Sequence, residues 1–296
     1  MQKHRARLVA TAVFAVALTA LGLAGTAQAK LTGEFTKFAN CPYKLPTEVK
    51  KCIYSVTESG EVVLGNKKVP IEKPVVLQGG RGPIEEDEFS KFYGATNGVT
   101  LSKAPQNVPG GLLGIVPEAS SPPLVKALIK FFFENKLTGV NSTLELAKPA
   151  TSIRISENNL AAEAGIALEL PVKVHLENPF LGKNCFVGSE SSPLLWKLTA
   201  GTTSPPPPNT PITGAGGAGE FLEEGRILTL KGNKLVDNAW SAPAASGCGG
   251  ILSFLVSPII NAQLGTTTAG HNTAILNNTL SIAAAVTVRT DDEEHP

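Results

Sequence analysis

Between Ile166 and Leu176 every second residue is apolar. Ile166, Leu168, Leu170, Val172, Val174 and Leu176 alternate with Ala167, Glu169, Pro171, Lys173 and His175. A period of two over such a length is that of a strand with one face buried and one wet. Leu160, Ala162 and Ala164 keep the same parity, so the strand is expected to begin as early as Leu160. Pro171 has no N–H to give a ladder, which predicts a sheet edge or a bulge at that point. A second run repeats the pattern near the other end of the chain: Leu280, Ile282, Ala284, Val286 and Val288 alternate with Ser281, Ala283, Ala285, Thr287 and Arg289.

Shorter strands are expected around these two. Cys52 to Val56 reads as a strand ending at Ser59-Gly60, and Pro74 to Leu77, Val140 to Ala147 and Ile153 to Ile155 as others. Gly65-Asn66 and Gly232-Asn233 each separate two apolar-rich runs. Glycine at the first central position of a two-residue loop predicts a type II′ hairpin at both. Two helices are expected. Pro122-Pro123 opens one, with Leu124, Leu128 and Phe132 in register and Val125, Ile129 and Phe133 beside them. Ile251 to Leu264 is the other, kinked or cut at Pro258. The expected class is mainly β, a sandwich or partly closed barrel with two short apolar helices packed on the sheet.

Residues 1–29 are read as a signal peptide. Lys3, Arg5 and Arg7 precede an uncharged apolar stretch, Leu8 to Leu23, and Ala27-Gln28-Ala29 forms a cleavage site. The apolar stretch has 16 residues, where a membrane span needs about 20. The expected organisation is then a single β-rich domain over 30–290, with 30–118 as a candidate sub-lobe, and an acidic disordered tail over 291–296. Removing Lys3, Arg5 and Arg7 leaves 23 basic residues against 25 acidic ones, a balance that gives no reason to expect nucleic acid as partner.

Cys41, Cys52, Cys185 and Cys248 all follow the cleavage site. An even count in an exported chain reads as two disulfides. Three pairings are possible, and 41–52 with 185–248 is preferred. The expected location is secreted or extracellular, including association with the cell wall, with no transmembrane anchor after cleavage.

Chemistry is sparse in the exported part. His175 falls on the polar face of its strand and is expected to be exposed. His271 sits in the turn-like Gly270-His271-Asn272-Thr273 and is the one histidine worth weighing for catalysis. Ser246-Gly-Cys248-Gly-Gly250 is close to the nucleophile segment of chymotrypsin-like cysteine proteases, which also need a histidine earlier in the chain to take the thiol proton. Disulfide parity accounts for Cys248 more simply. Glu169, Glu177, Glu190, Glu220 and Asp237 are loose candidates for a glycosidase pair, but sequence spacing does not place two of them together. Gly214 to Gly219 matches G-x-G-x-x-G, yet prolines rather than a strand precede it, so dinucleotide binding is rejected. The acidic run Glu85 to Glu88 lacks the alternate spacing of a calcium loop and reads as solvated charge. Phe131-Phe132-Phe133 is weighed as core against a lipid-inserting wedge, and core is preferred because the apolar arc is continuous. The residues retained as candidate ligand contacts are Phe131, Phe132, Phe133, Trp240 and His271. No catalytic residue, metal or cofactor is expected.

Four passages resemble a group of exported proteins from high-GC Gram-positive bacteria (actinobacteria). They are Leu170 to Phe180 with Cys185, Leu198 to Asn209, Leu235 to Trp240 running on to Gly250, and Gly270 to Thr273. The resemblance covers mainly residues 165–285. It implies a bacterial envelope setting and transfers no functional residues, since that group has no assigned activity. The expected function is a non-enzymatic protein, secreted or envelope-associated, that binds something or has a structural role. One alternative is a carrier of a lipid or other apolar ligand in a cavity between sheet and helices. The other is an extracellular hydrolase acting on cell-wall polymer. The expected partner is an envelope component or an apolar small molecule.

Overall fold

The computed structural model describes residues 30–295 apart from 46, 117, 119 and 134–136, and the backbone only at 129, 130, 132 and 133. The expected signal segment therefore lies outside the described residues. The strands are β1 (Lys51–Leu64), β2 (Lys67–Pro70), β3 (Val75–Ile84), β4 (Ser90–Gly94), β5 (Gln106–Val108), β6 (Val140–Leu146), β7 (Arg154–Ile155), β8 (Leu168–Glu177), β9 (Phe186–Val187), β10 (Leu194–Leu198), β11 (Ala218–Leu222), β12 (Ile227–Asp237), β13 (Ala245–Ser246) and β14 (Asn272–Ala284). The helices are α1 (Pro123–Phe133), α2 (Glu157–Ala161), α3 (Ser253–Leu264) and α4 (Ala285–Glu294).

The protein is mainly β, and the 14 strands of the described residues form one sheet whose path runs β11-β12-β14-β1-β3-β4-β7-β8-β6-β5. Every pairing is antiparallel. β10 lies along β8, and just past its end Thr199 bridges to Val236 of β12 through two backbone hydrogen bonds of 3.0 and 2.9 Å. The sheet thus folds over on itself without closing into a barrel.

Strand periodicity sorts neighbouring residues into two cores. Ile53 and Ile282 join the large core between the arms of the sheet. Their chain neighbours Cys52 and Ala283 face the other way, into a smaller core with Phe35, Phe38 and Val288. There the short helix Gly33–Phe38 and α4 cover the outside of β1, β12 and β14. Both disulfides form with the preferred pairing, Cys41–Cys52 in the small core and Cys185–Cys248 in the large one.

β8 buries Leu168, Leu170, Val172, Val174 and Leu176, as its alternation requires. Pro171 does not sit at a sheet edge, because β8 is flanked on both sides. One neighbour is β10, and the other side passes from β7, paired at Glu169, to β6, paired from Val172. Pro171 falls in that handover, where its carbonyl accepts from Ala147 N–H at 3.0 Å. A residue's N–H and C=O point the same way in an antiparallel ladder, so the missing N–H faces a break between two strands. The segment before β8 is helix α2, capped by the Ser156 hydroxyl accepting from Asn159 N–H, and not the expected extension of the strand.

Gly65-Asn66 makes its hairpin, with Leu64 opposite Lys67. Gly65 has φ +55° and Asn66 is not in the left-handed region, as a type II′ turn requires. Gly232-Asn233 does not. β12 runs straight through it beside β14, with Lys231 and Gly232 in a register shift between Leu230 and Asn233, which pairs with Asn278. Asn233 is buried there, donating to Leu230 and Asn278 carbonyls. β1 also continues past Ser59-Gly60. Gly60 has φ +134°, and a Cβ on it would collide with the Ile275 carbonyl oxygen of β14.

Three further expectations are corrected. The second long strand ends at Ala284, and the chain turns into α4. The tail expected to be disordered is helical through Glu294, with Asp291 and Asp292 buried. Asp291 accepts from Thr32 N–H and its hydroxyl at 2.9 and 3.1 Å. The two long helices are also not core. Leu124 and Phe131 of α1 are 71% exposed, and on and before α3 Phe254 is 70% and Ile251 96% exposed. Only Ile260 and Leu264 of α3 are buried. The reason lies in the sheet, whose two arms cover each other's apolar faces and leave little for a helix to cover.

Candidate functional site

The two arms do not meet everywhere. At the end where β2, β5 and β6 flank α3, they leave an apolar cavity with about 80 Å³ of space for the centres of water-sized molecules. Strand parity supplies its walls: Val62 and Leu64 from β1, Val140 and Leu144 from β6, and Val174 and Leu176 from β8. Ile260 and Leu264 of α3 and the indole of Trp240 close it. A smaller cavity of about 40 Å³ shares Ile71, Val75 and Leu144 with it and reaches Trp196, Thr57 and Asn278 deeper inside. Together they outline a narrow path into the core.

Trp240 is held by backbone-directed polar contacts. Asp237 accepts from Lys197 N–H at 2.7 Å and Ala239 N–H at 2.9 Å, and the Asp237 carbonyl accepts from the Trp240 ring N–H at 3.3 Å. Burial pushes the Asp237 carboxyl above its usual range, against the pull of those two amides. Asn272, fully buried, donates to the carbonyls of Trp240, Thr267 and Thr268 and accepts from Gly65 N–H. The passages 235–240 and 270–273, far apart in sequence, are therefore one structural unit beside the cavity.

Among the described residues the polar lining is Lys67, Gln106, Ser142 and Gln263. Gln106 is saturated, accepting from Glu72 and Lys73 N–H and donating to the Lys73 and Ala104 carbonyls. Gln263 donates to the Leu112 carbonyl at 2.7 Å. Among the described residues Lys67 is the one charged residue of the lining, and burial pushes its ammonium below the usual lysine range.

Exposed apolar residues lie on segments joined to the cavity walls. α1 packs beside the short helix Gly111–Leu113, which Gln263 ties to α3. The turn before α3 is tied to Leu181 through Gly249 N–H at 2.6 Å, and Asn178 donates to the Leu137 and Gly139 carbonyls. Leu113, Phe131, Leu137, Phe180, Ile251 and Phe254, all more than half exposed, thus belong to mutually attached segments at one end of the molecule.

Of the expected ligand contacts, Trp240 lines the cavity and Phe131 stands on the rim. The side chains of Phe132 and Phe133 lie outside the described residues. His271 is in neither place, and its ring nitrogen meets the Thr268 hydroxyl at 3.3 Å in a turn. His175 is half-buried rather than exposed, stacked on Phe186 with centroids 4.4 Å apart. Its Nε2 lies 3.1 Å from the Lys183 carbonyl.

Most of the residues weighed for catalysis hold structural contacts. Cys248 is in its disulfide, so its sulfur is not a free thiol. Glu169 pairs with Arg154 and Glu177 with the Thr143 hydroxyl, eight residues apart on one strand, or about 27 Å at strand rise. Glu220 pairs with Lys231 on the outer strand β11, and Glu190 is exposed. In the glycine run, Gly216 and Gly217 N–H already donate to Glu163 and Asn233. The acidic run forms the β3–β4 turn, where Asp87 pairs with Arg154.

Lys67 and the rim were missed from sequence. The signal for Lys67 was parity, since it shares a face of β2 with Val69. Comparison with family models, curated proteins and solved structures found no match.

Proposed function

We propose that this is an exported, non-catalytic binding protein whose cavity receives the end of a single apolar chain. The observation that carries the reading is the continuity of two features. An aliphatic cavity opens at the same end of the molecule as a group of exposed apolar residues, so a hydrophobic ligand has apolar surface both inside and outside, with Lys67 and Gln263 as the polar side chains between. Size restricts the occupant. About 80 Å³ is roughly half the volume of a cavity that admits benzene, so a thin unbranched chain fits better than a ring or a two-chain lipid. The two disulfides favour an oxidising compartment, in keeping with export.

Native mass spectrometry of protein secreted by its own host, before and after organic extraction, tests the proposal. The expected spectrum carries an added mass that extraction removes. A disulfide-closed polypeptide alone in both spectra, together with no calorimetric binding of single-chain amphiphiles, overturns it.

A further inference from the structure

We propose that the bound chain ends in an anionic head, carboxylate or phosphate, which the Lys67 ammonium holds at the cavity mouth; this rests on the chain-binding reading above. β2 alternates, so Lys68 points outward and pairs with Glu61 at 2.6 Å, while Lys67 and Val69 turn inward to the cavity. An inward position on an apolar face is the last place where folding alone would put a lysine. Among the described residues Lys67 has neither an ion-pair nor a hydrogen-bond partner. Among the described residues no other lining side chain is charged, and residues 238–288, which include all of α3, contain no Asp, Glu, Lys or Arg. The positive charge at the mouth is therefore not compensated from the α3 side.

The ammonium is also placed where a head group would lie. A Cβ on Gly114 would stand 2.5 Å from Lys67 Nζ and 3.4 Å from Gln263 Oε1, so lysine and glutamine converge on the same glycine. Gly114 follows the short helix Gly111–Leu113, at the boundary between cavity and rim. A chain lying in the cavity with its charged end at Gly114 would bury its carbons against Val62, Leu64 and Val69 and leave its head half in water. The desolvation that makes Lys67 costly when empty strengthens its grip on an anion when filled.

Isothermal titration calorimetry with butanoate, butyl phosphate and butanol, chains short enough for the cavity, tests this. Wild-type protein is expected to bind at least one anion about tenfold tighter than butanol, and the tighter of the two identifies the head group. Lys67→Met should remove the difference while still binding butanol, and Lys67→Arg should restore it. Equal affinity for the anions and butanol, or a difference that survives Lys67→Met, overturns the head-group assignment and leaves the chain site standing. No binding of any of the three to wild type overturns both. Thermal unfolding of Lys67→Met and Lys67→Arg at wild-type midpoints shows that lost binding is not lost fold.

Discussion

Arg81 on β3 grips Glu157 at the start of α2 with two prongs, Nε to Oε1 at 2.8 Å and Nη2 to Oε2 at 3.2 Å. Lys51 of β1 reaches the same carboxylate at 2.5 Å, and Arg81 is only 6% exposed. Burial pushes the Glu157 carboxyl up, but the hydrogen bonds and charges of Arg81 and Lys51 outweigh it and hold the group below the usual range. A depressed carboxyl contributes stability that is complete above the unfolded value of about 4.3 and lost as pH falls through the folded one. Urea unfolding should therefore weaken more steeply below pH 4.3 in wild type than in Glu157→Gln. At pH 7 the variant should lose about 2–3 kcal/mol, because Arg81 keeps a buried charge without its counter-ion. Parallel pH profiles would count against this.

The two disulfides should not contribute equally. Cys185–Cys248 spans 63 residues and Cys41–Cys52 spans 11. Chain-entropy reasoning assigns about 4 kcal/mol to the first and about 3 to the second. Paired Cys→Ser variants, compared by urea midpoint, should show the larger loss at 185–248. The reverse order would mean that the small core, rather than loop closure, governs the loss.

Leu194 is fully buried on β10 and lines the cavity. Leu194→Ala should lower stability by about 2–5 kcal/mol and enlarge the space. Calorimetry should then detect benzene binding that wild type lacks. Unchanged selectivity would show that the site collapses around the deletion.

Ile251 and Phe254 contribute little to folding at 96% and 70% exposure. The double change Ile251→Ser and Phe254→Ser should shift stability by no more than about 0.5 kcal/mol. It should, however, clearly reduce retention on a phenyl matrix. A large stability loss would place these residues in a packed interface instead.

What could be read from sequence was local or covalent. Leu168 to Leu176 show their buried face by parity, Cys41 and Cys52 are close in the chain, and Gly65-Asn66 forms its turn between immediate neighbours. Several of the misreadings turn on distant segments. Gly232-Asn233 has the same residues as the first hairpin, but β14 lies beside β12 there and keeps the strand running. Pro171 fits an interior strand because β6 stops and β7 begins opposite it. The stripes on α1 and α3 showed that apolar faces exist, not whether the sheet had a free face to receive them. The cavity was hidden for the same reason, since Lys67, Val140, Val174 and Ile260 meet only through the fold.

β1 lies between β3 and β14, and its partner on one side arrives some 220 residues later, Cys52 facing Ala283 and Leu64 facing Asn272. An extended strand left with an open edge is a template for wrong pairing, and contacts so distant in sequence slow folding. During synthesis this edge of β1 therefore stays open for almost the entire chain. The strand made first is the one left longest without its partner, and β14, made last, closes β1 and β12 together.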